Sequence, residues 1–359
     1  MSVTVSSSVI TETINTDPEY KGVLRLLEKD HRITVSEFLG KGSYSCVLKG
    51  LKGSKAPIAV KIVDTREESE YVKRFLPRES LLVKKLHHDC IIRVYQIIST
   101  PNFTTFITEF CESGDLLQKI RKLKRLSESE AKLVFRQLIE ALTYLERHGI
   151  VHRDIKCENI FLDRYENVKL GDFGFARYLS HKEKSSTFCG SRAYVAPEIL
   201  RSIAYTGHTV DIWSSGVVLF VMVTGVMPYD DRNPDKMVER QLAHKVRFPK
   251  SVNLTTDVKA LIYEILHPYP PSRPSYRAIC KSQWLRNTPY RLAGGVESET
   301  SSRITSCGVL SNSSDSCSRS RRSRRKGAES KSERVMTDKE NKPPGVRHSE
   351  KPDRRAQRK

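Results

Sequence analysis

The stretch from His152 to Gly174 restricts the chemistry of this chain more than any other. It reads HRDIKCENIFLDRYENVKLGDFG and contains Asp154, Lys156, Asn159 and Asp172. Transfer of a phosphoryl group from ATP needs a carboxylate near the attacking hydroxyl, ligands for magnesium and cations near the developing negative charge. These four side chains supply such groups. A charged surface hairpin could match one half of the pattern, but both halves at this separation favour a catalytic site.

The same stretch resembles the catalytic loop and the metal-binding turn of the protein kinases, H-R-D-x-K-x-x-N followed by D-F-G. The resemblance implies that Asp154 accepts or orients the proton of the substrate hydroxyl and that Lys156 contacts the γ-phosphate. It also implies that Asn159 and Asp172 hold magnesium. The lysine is typical of serine/threonine kinases. The implied fold is α+β and bilobal, with a small β-rich N-lobe and a larger helical C-lobe.

A glycine pair lies between two β-prone runs near the N-terminus, in ITVSEFLGKGSYSCVLKGLK. This pattern predicts strand, glycine loop and strand. A Rossmann-type loop would need a helix directly after the glycines, and an ordinary hairpin turn is the other alternative. The segment is similar to the kinase loop that covers ATP, with Ser45 in the place of the third glycine. The resemblance implies ATP contacts from Leu39, Gly40, Lys41, Gly42, Ser43, Tyr44, Ser45 and Val47.

An apolar run, IAVKIV, contains one lysine, Lys61. Such a lysine usually lies at an exposed strand edge. Resemblance to the V-A-I-K strand instead implies that Ala59 and Lys61 belong to the ATP site and that Lys61 contacts the α- and β-phosphates. Its expected partner is Glu79 on the following helix. Because Pro77 comes two residues earlier, we expect a bend or a late start of that helix.

Two further strands, at about 91–99 and 104–109, are predicted before the segment TEFCESGD. This segment is an ordinary loop when taken alone, but it resembles the hinge between the kinase lobes. Thr108 would then gate the back of the ATP pocket, and the backbones of Glu109 and Cys111 would meet the adenine. Asp115 stands where related kinases bind the ribose or a substrate arginine.

Two helices are predicted after the segment that resembles the hinge. Ser127 and Glu130 form the pattern of a capping box, which opens a helix with an apolar stripe at Val134, Leu138, Leu142 and Leu145. The apolar run 216–227 is shorter than the roughly 20 residues of a membrane span, and we interpret it as a buried helix.

The segment FARYLSHKEKSSTFCGS, followed by Ala-Pro-Glu, resembles a kinase activation segment. Thr187 stands where many of these enzymes are phosphorylated, and Arg153 would bind part of that phosphate. The alternative is that Thr187 is one exposed hydroxyl among many. Ser191 would lie near the substrate pocket. Arg192 replaces the proline that is common at the next position.

The resemblance also assigns structural and specificity roles. Asp211, in D-I-W-S-S-G, would brace the backbone of the catalytic loop, and Arg273 would pair with Glu198. A buried pair of this kind is costly to break from one side. Asp115 and Glu158 stand where related kinases read arginines upstream of the target residue. We therefore predict basic residues before the acceptor in the substrate.

Several longer segments resemble the testis-specific serine/threonine kinases, a family in the calmodulin-dependent kinase group: FLPRE, IIRVY, HRDIKCEN, TFCGS and MPYDD. The resemblance covers about residues 30–290, with an N-lobe at about 30–109 and a C-lobe at about 112–290. It implies ATP and Mg²⁺ as cofactors, with Mn²⁺ as an alternative, and a role in male germ-cell differentiation. The implied partners are protein substrates with Ser or Thr acceptors, an upstream activating kinase or autophosphorylation, and a chaperone.

The flanks differ in composition from the domain. Residues 1–29 are rich in Ser and Thr, and residues 291–359 hold 18 Lys and Arg against 9 Asp and Glu. We expect both flanks to be disordered. The tail thus carries +9 of the formal net charge of +20 in about one fifth of the chain, so it is more basic per residue than the rest. Its cluster Arg319–Lys326 is typical of nuclear import or nucleic-acid binding, while a solvated, phosphorylated tail is the alternative.

The compartment is predicted from cysteines and from the N-terminus. The 8 cysteines form no CxxC pair, which is typical of a reducing compartment. The N-terminal segment lacks the charged and apolar regions of a signal peptide. We expect a cytoplasmic protein without a membrane segment, with nuclear import through Arg319–Lys326 as a further location.

Two other functional classes remain to be compared. A kinase-fold scaffold without activity would lack a catalytic group, yet Lys61, Glu79, Asp154, Asn159 and Asp172 are all present. A nucleic-acid binder would depend on the basic tail and would bind with a steep salt dependence. We expect nucleic-acid binding, if any, to reside in the tail alone.

Overall fold

The structure of this protein is a computed structural model, and it describes residues 16–42, 45–53, 56–67, 69–179, 184–185 and 190–295.

The N-lobe is built on an antiparallel sheet. The sheet has five strands in the order β1-β2-β3-β5-β4. They are β1 (Ile33–Lys41), β2 (Ser45–Lys52), β3 (Ala56–Asp64), β4 (Val94–Ser99) and β5 (Phe103–Glu109). The fourth strand starts later than predicted because Ile91 makes only an isolated bridge, to Leu170.

The alternation of side chains in β2 separates two faces of this sheet. Cys46 and Leu48 are buried in an apolar cluster on one face, while Val47 and Lys49 on the other face are half-buried. Val47 pairs with Lys61 of β3 across the ladder. The second face therefore carries the residues predicted to contact ATP.

A helix that precedes the sheet covers the first face. α1 (Pro18–His31) begins at Asp17, whose side chain accepts a hydrogen bond from a backbone amide of the first turn. Val23 and Leu27 lie one turn apart on its inner side and are buried in the same cluster as Leu48. The expectation that residues 1–29 are disordered is therefore wrong for residues 18–29.

Arg66, directly after β3, attaches this helix to the sheet. Its guanidinium contacts Asp17 at 2.9 Å, Glu19 at 3.4 Å and Asp64 at 2.6 Å. The sequence Asp17-Pro18-Glu19 is a helix-start signal. A single helix of this length is marginal in water, however, and packing on the sheet stabilises it. That packing partner is not visible in the local sequence.

The connection from β3 to β4 is helical. A π-helical turn, Tyr71–Phe75, leads into α2 (Leu76–Val83). Pro77 lies directly after this π turn, in the first turn of α2. Because proline has no N–H to donate, it interrupts the regular helical bonding at this junction. The bend or late helix start predicted from Pro77 is observed as the π-helical turn that precedes α2.

Helices dominate the C-lobe, and three short two-stranded sheets accompany them. The helices are α3 (Leu116–Leu123), α4 (Glu128–Arg147), α5 (Pro197–Leu200), α6 (Thr209–Thr224), α7 (Pro234–Leu242), α8 (Thr256–Ile265) and α9 (Tyr276–Lys281). Short 3-10 turns lie at Cys157–Asn159, Arg192–Tyr194, Pro270–Ser272 and Ala293–Gly295. The strands are β6 (Ile150–Val151), β7 (Ile160–Leu162), β8 (Val168–Leu170), β9 (Arg177–Tyr178), β10 (Lys184–Ser185) and β11 (Tyr205–Thr206). They pair as β6 with β9, β7 with β8 and β10 with β11.

The helices predicted from the sequence are confirmed. Ser127 and Glu130 form the capping box that opens α4. The four stripe residues of that helix are buried in the main apolar core. The apolar run 216–227 falls largely in the buried α6, where a Cβ on Gly216 would collide with Ile265 of α8. Gly216 therefore permits the close approach of these two helices.

The C-terminal boundary of the domain lies later than predicted. Residues 291–295, assigned to the disordered tail, pack on the C-lobe. Gln137 donates a hydrogen bond to the carbonyl of Arg291 at 3.0 Å, and the Ala293 amide donates to Asn167 at 2.7 Å. The rest of the tail, including the cluster Arg319–Lys326, lies outside the described residues. None of the helices in the described residues has the length and apolarity to cross a membrane.

We predict that Leu27→Ala destabilises the N-lobe. The side chain is fully buried between α1 and the sheet, and truncation of such a leucine costs about 2–5 kcal/mol. Chemical denaturation of the purified protein measures the change. Leu81→Ala is the matched control, because Leu81 is 69% exposed and should change stability by less than about 0.5 kcal/mol. Equal stability of the two variants would show that α1 does not pack on the sheet.

Candidate active site

A lysine from β3 is bound by two carboxylates from other elements. The Lys61 Nζ lies 3.0 Å from Glu79 Oε1 on α2 and 3.3 Å from Asp172 Oδ1, in the turn after β8. Burial by itself would lower the pKa of Lys61, but the two carboxylates outweigh it and hold the pKa well above its usual range. Lys61 in turn lowers the pKa of Asp172. The ammonium is thus held charged at the centre of the sheet's second face.

The catalytic loop brings the predicted catalytic residues together around one carboxylate. Asp154 Oδ2 accepts from Lys156 Nζ at 2.8 Å and from Asn159 Nδ2 at 3.0 Å. Asp154 Oδ1 accepts from the Ser191 amide at 3.0 Å. The Ser191 hydroxyl also lies 3.2 Å from Lys156 Nζ. These contacts hold the carboxylate in one orientation.

A second buried carboxylate holds the backbone of this loop. Asp211, at the start of α6, accepts from the backbone amides of His152 at 2.7 Å and Arg153 at 2.8 Å. Arg153 has a φ of +68°, a left-handed conformation that side chains rarely adopt. Asp211 therefore stabilises a strained turn, which is the arrangement expected of a bracing residue.

His152 is a residue whose contribution was not assigned from the sequence. Its Nε2 donates to the carbonyl of Gly171 at 3.1 Å, and its Nδ1 accepts from the Asp154 amide at 3.3 Å. The ring is fully buried against Phe173. His152 thus links the catalytic loop to the turn that carries Asp172. The sequence signal for this role was the histidine of the H-R-D motif.

The side chains of Asn159 and Asp172 suit a magnesium ion. Because the Asn159 amide nitrogen donates to Asp154, its side-chain oxygen remains available as a ligand. The backbone carbonyl of Asn159 accepts from the amide of Gly171, the residue before Asp172. Oxygen ligands are those that Mg²⁺ prefers, and it is commonly bound by one or two carboxylates together with substrate phosphates. Among the described residues no group of three or more His, Cys, Asp or Glu side chains could hold a metal. Asn159 and Asp172 thus supply an amide oxygen and a carboxylate, both of the ligand type that Mg²⁺ prefers.

The glycine loop is a hairpin between β1 and β2, as predicted. Gly40 pairs with Val47, and the Gly42 amide donates to the Ser45 carbonyl at 2.7 Å. Leu39 is exposed before the loop. Lys41 ends β1 opposite Cys46. Two of the predicted ATP contacts, Ser43 and Tyr44, lie outside the described residues.

The hinge follows β5. Ala59 pairs with Thr108, whose hydroxyl donates to the carbonyl of Glu109 at 3.1 Å. The Glu109 side chain binds Lys169 at 3.1 Å and the Arg93 amide at 3.0 Å. The Glu109 carboxylate thus connects the hinge to both lobes. The sequence did not reveal this role. Cys111 lies at the following bend, where its carbonyl accepts from the Gly114 amide.

The two residues predicted to read the substrate lie on neighbouring elements. Asp115 caps α3, its carboxylate accepting from the Gln118 amide at 2.8 Å. Burial raises the pKa of Asp115 above its usual value. Glu158 lies in the 3-10 turn against which α3 packs, and among the described residues its buried Oε2 has no hydrogen-bond partner. Both residues are half-buried, so part of each residue is accessible from the surface.

The activation segment is described at residues 175–179, 184–185 and 190–191. Gly190 has a φ of +95°, and a Cβ there would lie 2.7 Å from the Arg153 carbonyl. Only glycine therefore fits this contact between the segment and the catalytic loop. Arg192 begins a 3-10 turn whose last residue, Tyr194, is buried. Thr187 lies outside the described residues.

A buried ion pair joins Glu198, in the Ala-Pro-Glu that follows the activation segment, to Arg273. Arg273 donates to Glu198 through two bonds, of 2.7 Å and 2.8 Å, and also to the carbonyl of Thr209 at 3.0 Å. The side chain of Arg273 is fully buried. Such a pair is costly to break from one side because one charge is left alone in the core.

Comparison with known proteins decides the family. A profile of the protein kinase domain matches residues 33–285. The chain belongs to the protein kinase family. It is 43% identical over 256 residues to testis-specific serine/threonine-protein kinase 2 of Mus musculus, which covers 69% of this chain and 72% of that protein. It is 40% identical over 255 residues to testis-specific serine/threonine-protein kinase 3 of Homo sapiens, covering 70% of this chain and 94% of that protein.

A more distant relative is a serine/threonine-protein kinase SIK3 homolog of Danio rerio, 38% identical over 250 residues, which are 69% of this chain and 21% of that protein. This kinase is accordingly a serine/threonine enzyme, as the sequence predicted, and the resemblance to the testis-specific kinases is confirmed. The family uses ATP and Mg²⁺. Helix α1 lies before the matched residues.

Proposed function

We propose that this kinase transfers the γ-phosphate of ATP through the residues gathered around Asp154 and Lys61. Asp154 orients the acceptor hydroxyl and takes its proton. Lys156, 2.8 Å from that carboxylate, contacts the transferred phosphate, and Lys61 contacts the other phosphates. The observation that carries the proposal is the position of Lys61 between Glu79 and Asp172.

In the proposed mechanism, two residues would bind magnesium. Asn159 and Asp172 would hold the ion, which neutralises phosphate charge when it is bound. Mn²⁺ has the same preference for oxygen ligands and could take its place. The chain's own residues supply the remaining positive charge through Lys61 and Lys156.

We further propose that the substrates carry arginine upstream of the acceptor. A guanidinium pairs well with carboxylates, because it presents donors in a planar fork. Asp115 and Glu158 lie on packed neighbouring elements, and Glu158 Oε2 has no hydrogen-bond partner among the described residues. An arginine three residues before the acceptor would fit this pair.

Asp115→Asn combined with Glu158→Gln should remove the preference for that arginine. Asparagine still caps α3, so the change removes charge and keeps the fold. A hydrogen bond to a charged group contributes about 1.5–3 kcal/mol, so we expect at least a tenfold loss of kcat/KM for arginine peptides and little change for peptides without arginine. A peptide array with the purified kinase measures both. Glu112→Gln, at an exposed residue of the same loop, is the control. Unchanged selectivity of the double variant would refute the proposal.

Regulation by phosphate on Thr187 is the second part of the proposal. Arg153 is buried beside the activation segment, and its guanidinium donates to the carbonyl of Phe175 at 2.7 Å. Arg177 of β9 pairs across to Val151, two residues before Arg153. Arg177 thus lies in this two-stranded sheet, and Arg153 follows its other strand by two residues. A phosphate on Thr187 would bind to Arg153 and Arg177.

Phosphatase treatment should lower the activity of the wild-type kinase, since the phosphate that would bind Arg153 and Arg177 is removed. Thr187→Ala should have the same low activity without treatment, while Thr34→Ala, at an exposed residue of β1, should behave as wild type. Mass spectrometry of Thr187 accompanies each assay. Phosphate on Thr187 in an Asp154→Asn variant would show an upstream kinase, and its absence there would show autophosphorylation. Full activity with Thr187 free of phosphate would contradict this part of the proposal.

The cellular role is proposed from the relatives. Two of them are named testis-specific kinases, and we place this kinase in male germ-cell differentiation. We propose a cytoplasmic location, with nuclear import through Arg319–Lys326. A chaperone is a further proposed partner. Nucleic-acid binding, if present, is assigned to the tail.

A further inference from the structure

Tyr71 contacts the glutamate that binds the ATP-site lysine. Its hydroxyl donates to Glu79 Oε2 at 2.7 Å, while Lys61 Nζ donates to the other oxygen, Oε1, at 3.0 Å. Glu79 is only 3% exposed. Each oxygen of a buried carboxylate thus has its own donor, and the two donors fix the plane in which the carboxylate lies.

The π-helical turn gives Tyr71 access to Glu79. The turn is closed by a bond from the Leu76 amide to the Tyr71 carbonyl, one residue longer than the α-helical bond. Eight residues of regular α-helix would rotate Tyr71 about 80° away from Glu79, whereas seven residues return to within about 20° of the same face. The π turn absorbs the eighth residue. Turns of this kind are frequent at functional sites.

The ring of Tyr71 also touches the turn that follows Asp172. A Cβ placed on Gly174 would lie 3.3 Å from Tyr71 Cε2 and 3.6 Å from Glu79 Oε2. Tyr71 therefore packs where α2 meets the D-F-G turn. Burial raises the pKa of the Tyr71 phenol above its usual value, so the hydroxyl keeps its proton and remains a donor at neutral pH.

We propose that Tyr71 is a positioning residue for phosphoryl transfer. Its hydroxyl holds the Glu79 carboxylate in the orientation that binds Lys61, and its ring keeps α2 against the D-F-G turn. Without the hydroxyl, Glu79 Oε2 loses a donor in a buried site, where an unmatched charged oxygen is costly. The carboxylate would then turn or move toward water, and Lys61 would lose its fixed position.

Tyr71→Phe tests the role of the hydroxyl, because phenylalanine keeps the ring contact with Gly174. In the full-length kinase with a peptide substrate, we expect kcat/KM for ATP to fall about tenfold, the lower end of the effect of a hydrogen bond to a charged group. Tyr165→Phe is the matched control, since Tyr165 lies 42% exposed in the turn between β7 and β8, and it should leave kcat/KM unchanged. A Tyr71→Phe variant with wild-type kcat/KM would overturn the proposal.

The same substitution in a Lys61→Met background separates positioning from general stability. The affinity for a fluorescent ATP analogue should fall with Tyr71→Phe in the wild-type background and should not fall further when Lys61 is absent. An equal loss in both backgrounds would show that Tyr71 acts independently of Lys61 and would also overturn the proposal. The inference rests on the proposed use of Lys61 in ATP binding. The Lys61→Met variant alone reports on that proposal, so the failure of one is distinguishable from the failure of the other.

Discussion

The Lys61 ammonium and its two carboxylates connect the parts of this kinase that must act together. Lys61 comes from the sheet, Glu79 from α2 and Asp172 from the turn after β8, and the distances are 3.0 Å and 3.3 Å. A charge in a partly buried site is stable only with partners, and each partner left alone would be costly. Any displacement of α2 or of the turn would therefore disturb the lysine as well.

In the C-lobe a buried carboxylate also holds the other half of the site, but this one binds backbone amides. Asp211 is 1% exposed and accepts from the amides of His152 and Arg153. This stabilises the left-handed Arg153, which in turn places Asp154 next to Lys156 and Ser191. The strain of the loop is thus offset by hydrogen bonds that its amides donate to Asp211 at the start of α6, outside the loop.

Several elements of the fold and of the site could be predicted because the residues that specify each of them lie close together in the sequence. The glycine hairpin, the capping box at Ser127 and the buried α6 each follow from residues a few positions apart. The contacts that the sequence did not reveal are those between distant segments. Helix α1 depends on the sheet it covers, and Tyr71 meets Glu79 only because a π turn shifts the face of the helix. Residues 291–295 are ordered by Gln137 and Asn167, which are far away in the chain.

The most direct measurement is ATP turnover with a serine or threonine peptide by the purified wild-type kinase and by Lys61→Met and Asp172→Ala. If phosphoryl transfer depends on the charged cluster, wild type phosphorylates the peptide and each variant loses at least about 3 kcal/mol of transition-state stabilisation, a rate lower by more than a hundredfold. Circular dichroism of the three proteins confirms that each is folded. Equal turnover by wild type and by folded variants would contradict the central role of Lys61 and Asp172.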